Sequence, residues 1–159
     1  EGVALLEEAT AQSGALRLMP THAWNVTMLA EAYLLAGRRE DAGREVERGL
    51  GMARANQQRW LEAEGLRIRC EVRASAGSPD LSGARADGEQ AAAIAGEMGL
   101  RPLVGRTHLA LGRVERRAGD AGAWRHLERA AALFAEMDMS FWLGQAETEG
   151  RALGEASKG

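Results

Sequence analysis

The sequence predicts an all-α fold in which antiparallel helical hairpins stack side by side as an α-α solenoid with a period of about 41 residues. Three observations predict it. Alanine, leucine, glutamate and arginine are abundant and only 3 prolines occur in 159 residues, a composition that favours helices. Ala-Gly pairs recur at Ala36-Gly37, Ala76-Gly77 and Ala118-Gly119, with Gly37, Gly77 and Gly119 set 40 and 42 residues apart. A second register agrees: Pro20 precedes Leu29 by nine residues, Pro102 precedes Leu111 by nine, and the two prolines lie 82 apart, two periods.

The elements follow in order. Val3–Ser13 reads as the second helix of an incomplete unit spanning 1–19. Unit 20–58 opens with Trp24, Met28, Leu29, Ala32, Tyr33 and Leu35 at helical spacing, and Gly37 is the stop, since it takes a left-handed cap without a Cβ penalty. Its partner helix starts near Asp41 and carries Ala42, Val46, Leu50 and Ala53 inward. Unit 59–100 pairs a helix around Trp60–Ala76 with one at Leu81–Met98, broken by Ser78-Pro-Asp80 and with Ala84 following Gly77. Unit 101–139 pairs Leu103–Ala118 with Ala123–Met137 across a turn at Gly119–Gly122. A helix of roughly Ser140–Leu153 within 140–154 caps the row, and 155–159 is read as a disordered tail. One hairpin cannot bury its apolar face alone, so small residues such as Ala30, Ala42, Gly49, Gly112 and Ala131 are expected where neighbouring backbones meet. Gly43, Gly49, Gly51, Gly88 and Gly96 together predict a soft second row of helices, at about 1 kcal/mol per helical glycine relative to alanine.

Charge and cysteine content bound the function. The formal net charge is −3, and no aromatics interleave the arginines, so no nucleic-acid partner is expected. No apolar run approaches the ~18 residues of a membrane span, and the acidic, amphipathic start is not a signal peptide. The chain opens in a helical pattern without an initiator Met and reads as a piece of a longer protein; with one free thiol, the cytoplasm is the default compartment. Cys70, between Arg69 and Arg73, reads as a small buried residue in preference to a reactive thiol. The three histidines, His22, His108 and His126, lack the spacing of a metal pair, and His108 shares a face with Val104, Leu111 and Ala118, as a packed histidine does. Gly49-Leu-Gly51 and Gly96-Glu-Met-Gly99 lack the strand and the Lys-Ser/Thr of a phosphate loop. No catalytic, cofactor or metal residue is assigned, and the chain is read as non-enzymatic.

One charge pattern points to binding. Arg106, Arg113 and Arg117 fall on one stripe of a helix with Ala110 between them, and Arg67 extends the stripe from the preceding unit. Such guanidiniums can clamp a partner's carboxylates, or can form a solvated, salt-bridged face with Glu71, Glu115 and Asp120. Met137, Met139, Phe141 and Trp142 are expected to fold back as a hydrophobic seal, the alternative being a docking patch.

The residues Leu29-Ala30-x-x-Tyr33-x-x-x-Gly37, Ala42, Val46 and Gly49 resemble a tetratricopeptide (TPR) repeat, and Leu111-Gly112, Gly119, Ala123, Leu127 and Ala130 resemble it again. In the middle unit Cys70 takes the small place and Gly88 the large one. His108-Leu-Ala-Leu-Gly112, Arg116-Arg-Ala-Gly-Asp120, His126-Leu127 and Met137-Asp-Met-Ser-Phe-Trp-Leu143 are similar to the C-terminal TPR region of large bacterial proteins that join an adenylate or guanylate cyclase domain, an ATPase domain and a helical repeat tail, although Glu115 stands where that group usually carries a tyrosine. The resemblance implies a TPR-like right-handed superhelix and a non-catalytic interaction module of a signalling protein, binding a protein, a peptide or another domain of its own chain. The alternative is a helical repeat that senses a small ligand for an ATPase-type transcriptional regulator. The sequence leaves the oligomeric state open.

Overall fold

The helices stop where their last carbonyls find the same substitute partners. In a computed structural model, which describes residues 1–156, the chain is eight helices with no strand among the described residues: α1 Gly2–Ala15, α2 Met19–Leu35, α3 Arg39–Ala55, α4 Arg59–Ser75, α5 Leu81–Glu97, α6 Arg101–Ala118, α7 Ala123–Glu136 and α8 Ser140–Ala156. Six of the seven turns close alike. A residue in the left-handed region (Arg17, Gly37, Gln57, Gly99, Gly119 or Asp138) is followed by an amide that bonds five residues back, as Arg38 N–H does to Tyr33 O at 2.8 Å and Leu100 N–H to Ala95 O at 2.9 Å. Three of these positions are not glycine and carry the steric cost of a Cβ there.

The seventh turn closes differently. Gly77 is not left-handed: Ala76 leaves α4 extended (φ −59°, ψ 158°), the chain breaks over the expected Ser78-Pro-Asp80, and Asp80 caps α5 through Gly83 N–H. The Ala-Gly pair at 76–77 therefore repeats the letters of the other two pairs without their geometry. The markers that do recur are the left-handed residues, among which Gln57, Asp138 and Arg17 give no signal in the sequence.

Packing is between neighbours. Each helix lies against those before and after it; α2, α4, α6 and α8 also touch one another in turn, whereas among the described residues no odd-numbered helix touches another. Close approach depends on small residues. Thirteen positions after a left-handed residue stand Ala30, Cys70 and Gly112, all buried. A Cβ on Gly112 would stand 2.6 Å from Leu127 Cδ2, and one on Gly88 2.5 Å from Leu111 Cδ2. Leu29, Ala30, Tyr33, Ala42, Ala84, Leu111, Ala123 and Ala130 are all buried as well. Of the five glycines expected to soften the second row, Gly49 and Gly88 are tight contact points, while Gly43, Gly51 and Gly96 meet nothing closer than 3.8 Å; α4 and α6 have tight points of their own at Gly65 and Gly105. Tyr33 Oη donates to Glu7 Oε1 at 2.7 Å and ties α1 to α2.

At the C-terminal end Met137, Met139 and Trp142 pack on Leu127 and Phe134, while Phe141 stays 68% exposed, so the seal uses three of its four expected residues. Glu155 and Ala156 belong to α8, which shortens the expected tail; residues 157–159 lie outside the described residues.

Candidate functional site

The face shared by α2, α4, α6 and α8 carries nearly all the singled-out arginines, and burial divides them into two groups. In the first, Arg67 Nη2 of α4 donates to Glu31 Oε1 of α2 and to Glu64 Oε1, both at 2.7 Å. Arg106 of α6 reaches the same two acceptors, Glu31 at 2.5 Å and Glu64 at 3.1 Å. The four side chains form a closed ring of two cations and two anions, and Trp142 of α8 lies over the outer guanidinium, its ring centre 4.9 Å from Arg106 Cζ. Arg67 is 2% exposed and also donates to Glu71 at 2.7 Å. Burial opposes its charge; the pull of Glu64, Glu71 and Glu31 outweighs that and raises its proton affinity above the ordinary arginine range. Burial likewise raises the Glu31 carboxyl, and Arg67 and Arg106 more than reverse it, holding Glu31 below the usual carboxylate range.

The second group opens to solvent. Arg113 Nε donates to Glu149 Oε1 at 2.8 Å and its Nη2 to Gln145 at 3.1 Å, while Arg116 pairs with the other Glu149 oxygen at 2.9 Å. Arg117 donates to the Ala74 carbonyl, and no carboxylate is its partner among the described residues. These three arginines and the two carboxylates of Glu71 and Glu149 surround a cavity of about 290 Å³ floored by Leu34, Ala74, Ala110 and Val114. Counted at the rim, the charge is one positive in excess.

Of the two expectations for the stripe, a clamp for a partner or a salt-bridged face, Arg67, Arg106 and Arg113 make the ion pairs of the second. Arg67 and Arg106 are consumed by the ring, Ala110 is 1% exposed and forms floor rather than spacing, and Arg113 is held by α8. Arg117 remains, joined by Arg116, which the stripe at spacings of seven and four passed over although it lies three residues after Arg113.

Two polar clusters lie elsewhere. Ser13 Oγ and His22 Nδ1 are 3.1 Å apart, a nucleophile–base distance, but the surroundings forbid that chemistry. Arg48 can only donate to His22 Nε2, at 2.8 Å, so Nδ1 carries the proton and donates to Ser13, whose own hydroxyl donates to Thr10 O. The result is a buried seam joining α1, α2 and α3. His108 and His126 share one proton between their Nδ1 atoms at 2.8 Å, and His126 Nε2 faces Glu115 at 3.5 Å. Burial, then His126 and Arg129, push the His108 imidazole down to about 4. No spacing rule exposes either pair, because both partners come from neighbouring helices. Cys70 is inert: burial, helped by Glu71 and Asp87, pushes its thiol up to about 12. Among the described residues no three His, Cys, Asp or Glu side chains are grouped to hold a metal, and no helix is long and apolar enough to cross a membrane.

No protein-family model and no curated protein matches the chain.

Proposed function

We propose that this chain is a non-catalytic interaction module, a TPR-like solenoid of stacked hairpins whose even-numbered helices form the inner, partner-facing row. What carries the reading is the open end of that row: an arginine-rimmed, apolar-floored cavity beside Arg113, Arg116 and Arg117, on a face where all other arginine charge is matched internally. The pairing of even with even helices, and of odd helices with none of their own kind, is what a curved row of hairpins produces. The ligand is an acidic segment of a protein, in another chain or in another domain of this one, with a carboxylate for Arg117 and an apolar side chain for the floor. By the resemblance of its last third, the module belongs to a cytoplasmic bacterial signalling protein of the cyclase–ATPase type, where partner binding biases two states of the neighbouring domain. The small-ligand alternative draws less support, since the cavities open to solvent and this one is mixed in polarity.

Selection of random peptides on the immobilised protein tests the proposal. Acidic sequences are expected to be enriched, and enrichment is expected to vanish with Arg116→Glu/Arg117→Glu at unchanged helical circular dichroism. A selection without acidic bias, or one that survives the double variant, would overturn it.

A further inference from the structure

The gap between an odd-numbered helix and the even-numbered helix after it is filled differently at two places in the chain. Between α3 and α4, Arg69 fills it. Its Nη1 pairs with Glu47 of α3 at 3.1 Å, and its Nη2 with Asp87 of α5 at 2.7 Å. Glu47 stands ten residues before the left-handed residue Gln57, and Arg69 twelve after it. Between α7 and α8 the same two places, counted from Asp138, hold Glu128 and Gly150. The carboxylate is present, and glycine stands where α4 has its arginine and where α2 and α6 have Leu29 and Leu111. Gly154 repeats the substitution one turn on, where α4 carries Arg73.

The consequence is a groove of about 550 Å³, lined by Trp124, Leu127, Ala131, Ala146, Gly150 and Gly154, with Glu128 on one wall and Glu147 on the other. Trp124 is 49% exposed in it. Neither glutamate has an ion-pair partner among the described residues, and Arg151, also on the rim, turns back to the Thr148 hydroxyl at 3.1 Å. Arg151 further occupies the place where Ala30, Cys70 and Gly112 admit a close neighbour, so a helix cannot seat here as α3, α5 and α7 seat on their own neighbours. The notches lie beside it, at the two glycines.

We infer that the α7–α8 groove docks a partner protein's amphipathic helix, whose arginine or lysine enters beside Trp124 to meet Glu128, as Arg69 meets Glu47 within this chain, and whose adjacent apolar side chain covers Gly150 and Gly154. The inference is independent of the acidic ligand proposed for the even-helix face: the surface, the charge and the residues differ. Trp124 supplies a ring face for the cation, and the two glutamates set the sign of the partner.

Gly150→Arg gives the direct test, because it restores the residue that α4 already carries. A Cβ at position 150 would meet only Trp124 Cζ3 at 3.6 Å, an ordinary contact, and unchanged helical circular dichroism of the variant is the control for its fold. The probes are two helical peptides of one leucine pattern, flanked in one by arginines and in the other by glutamates, titrated calorimetrically into the full chain. The arginine peptide is expected to bind at least about tenfold tighter than the glutamate peptide. Gly150→Arg and Glu128→Lys are each expected to weaken it by about tenfold or more, whereas Glu40→Lys, a remote exposed control, and Arg116→Glu/Arg117→Glu leave it within about twofold. Equal binding of the two peptides, no binding of the arginine peptide, or indifference to Gly150→Arg would overturn the inference. So would self-association in sedimentation that Gly150→Arg abolishes, since the occupant would then be a second copy.

Discussion

On one face of this molecule arginines and glutamates make a closed ring at one place and the rim of an open cavity at another. Around Arg67 and Arg106 two carboxylates meet two guanidiniums, Arg67 and Glu64 are buried, and each cation is matched by carboxylates of the protein itself. Around Arg113, Arg116 and Arg117 three guanidiniums meet two carboxylates, and one cation satisfies only a backbone carbonyl. The difference is stoichiometry and burial. A counted pair inside the protein ties helices together, and an uncounted charge at its edge is available to a partner.

The largest effect expected from this comparison is in the ring. Arg67→Ala leaves the buried Glu64 and the part-buried Glu31 to share Arg106 alone, and urea unfolding is expected to show a loss of about 3 kcal/mol. A loss below 1 kcal/mol would mean that the ring does not hold α2, α4 and α6 together. Next comes packing beneath the face. Gly88→Val drives a side chain into Leu111 and Cys70 and is expected to cost about 1–3 kcal/mol, measured the same way. A neutral outcome would show that the even and odd helices are not as closely set as the geometry requires.

Acid titration separates the regions in a third way. His108 has its folded pKa lowered from 6.5 to about 4, so the unfolded chain binds more protons between those values. The stability it contributes is full above 6.5 and falls away as pH drops toward 4, and His108→Leu is expected to flatten that limb of a melting-temperature profile. Glu31, whose pKa is lowered from 4.5, acts in the same direction but only below 4.5, so the ring's acid limb begins where that of His108 is ending. A profile unchanged by His108→Leu would remove the histidine pair from the balance. The smallest effect is expected at the cavity. Arg117→Glu lies at an exposed position without a carboxylate partner, and unfolding is expected to shift by no more than about 0.5 kcal/mol.

The ring also shows where sequence reasoning stops. The helices and their small contact residues follow from local rules, since Leu29, Ala30, Ala42 and Gly112 each answer to a periodicity within a few turns. The arginine stripe follows from the same rule. Its fate does not: Glu31, which closes the ring with Arg106, lies 75 residues away, and only the packing of α2, α4 and α6 brings the two within reach. Gly77 shows that a repeated dipeptide need not repeat a geometry: the Ala-Gly pair at 76–77 has the letters of the other two pairs without their left-handed glycine, and the Ser78-Pro-Asp80 break that the sequence marks lies just after it. The groove at Gly150 was legible only after the left-handed residues gave a register by which Gly150 could be set against Arg69.

Arginine side-chain NMR during titration with a glutamate-rich hexapeptide tests the division of the face most directly. The Nε–Hε signals of Arg116 and Arg117 are expected to shift with peptide, that of Arg113 to follow, and those of Arg67 and Arg106 to stay fixed throughout. Movement of Arg67 or Arg106 with peptide, or silence at Arg116 and Arg117, would contradict it.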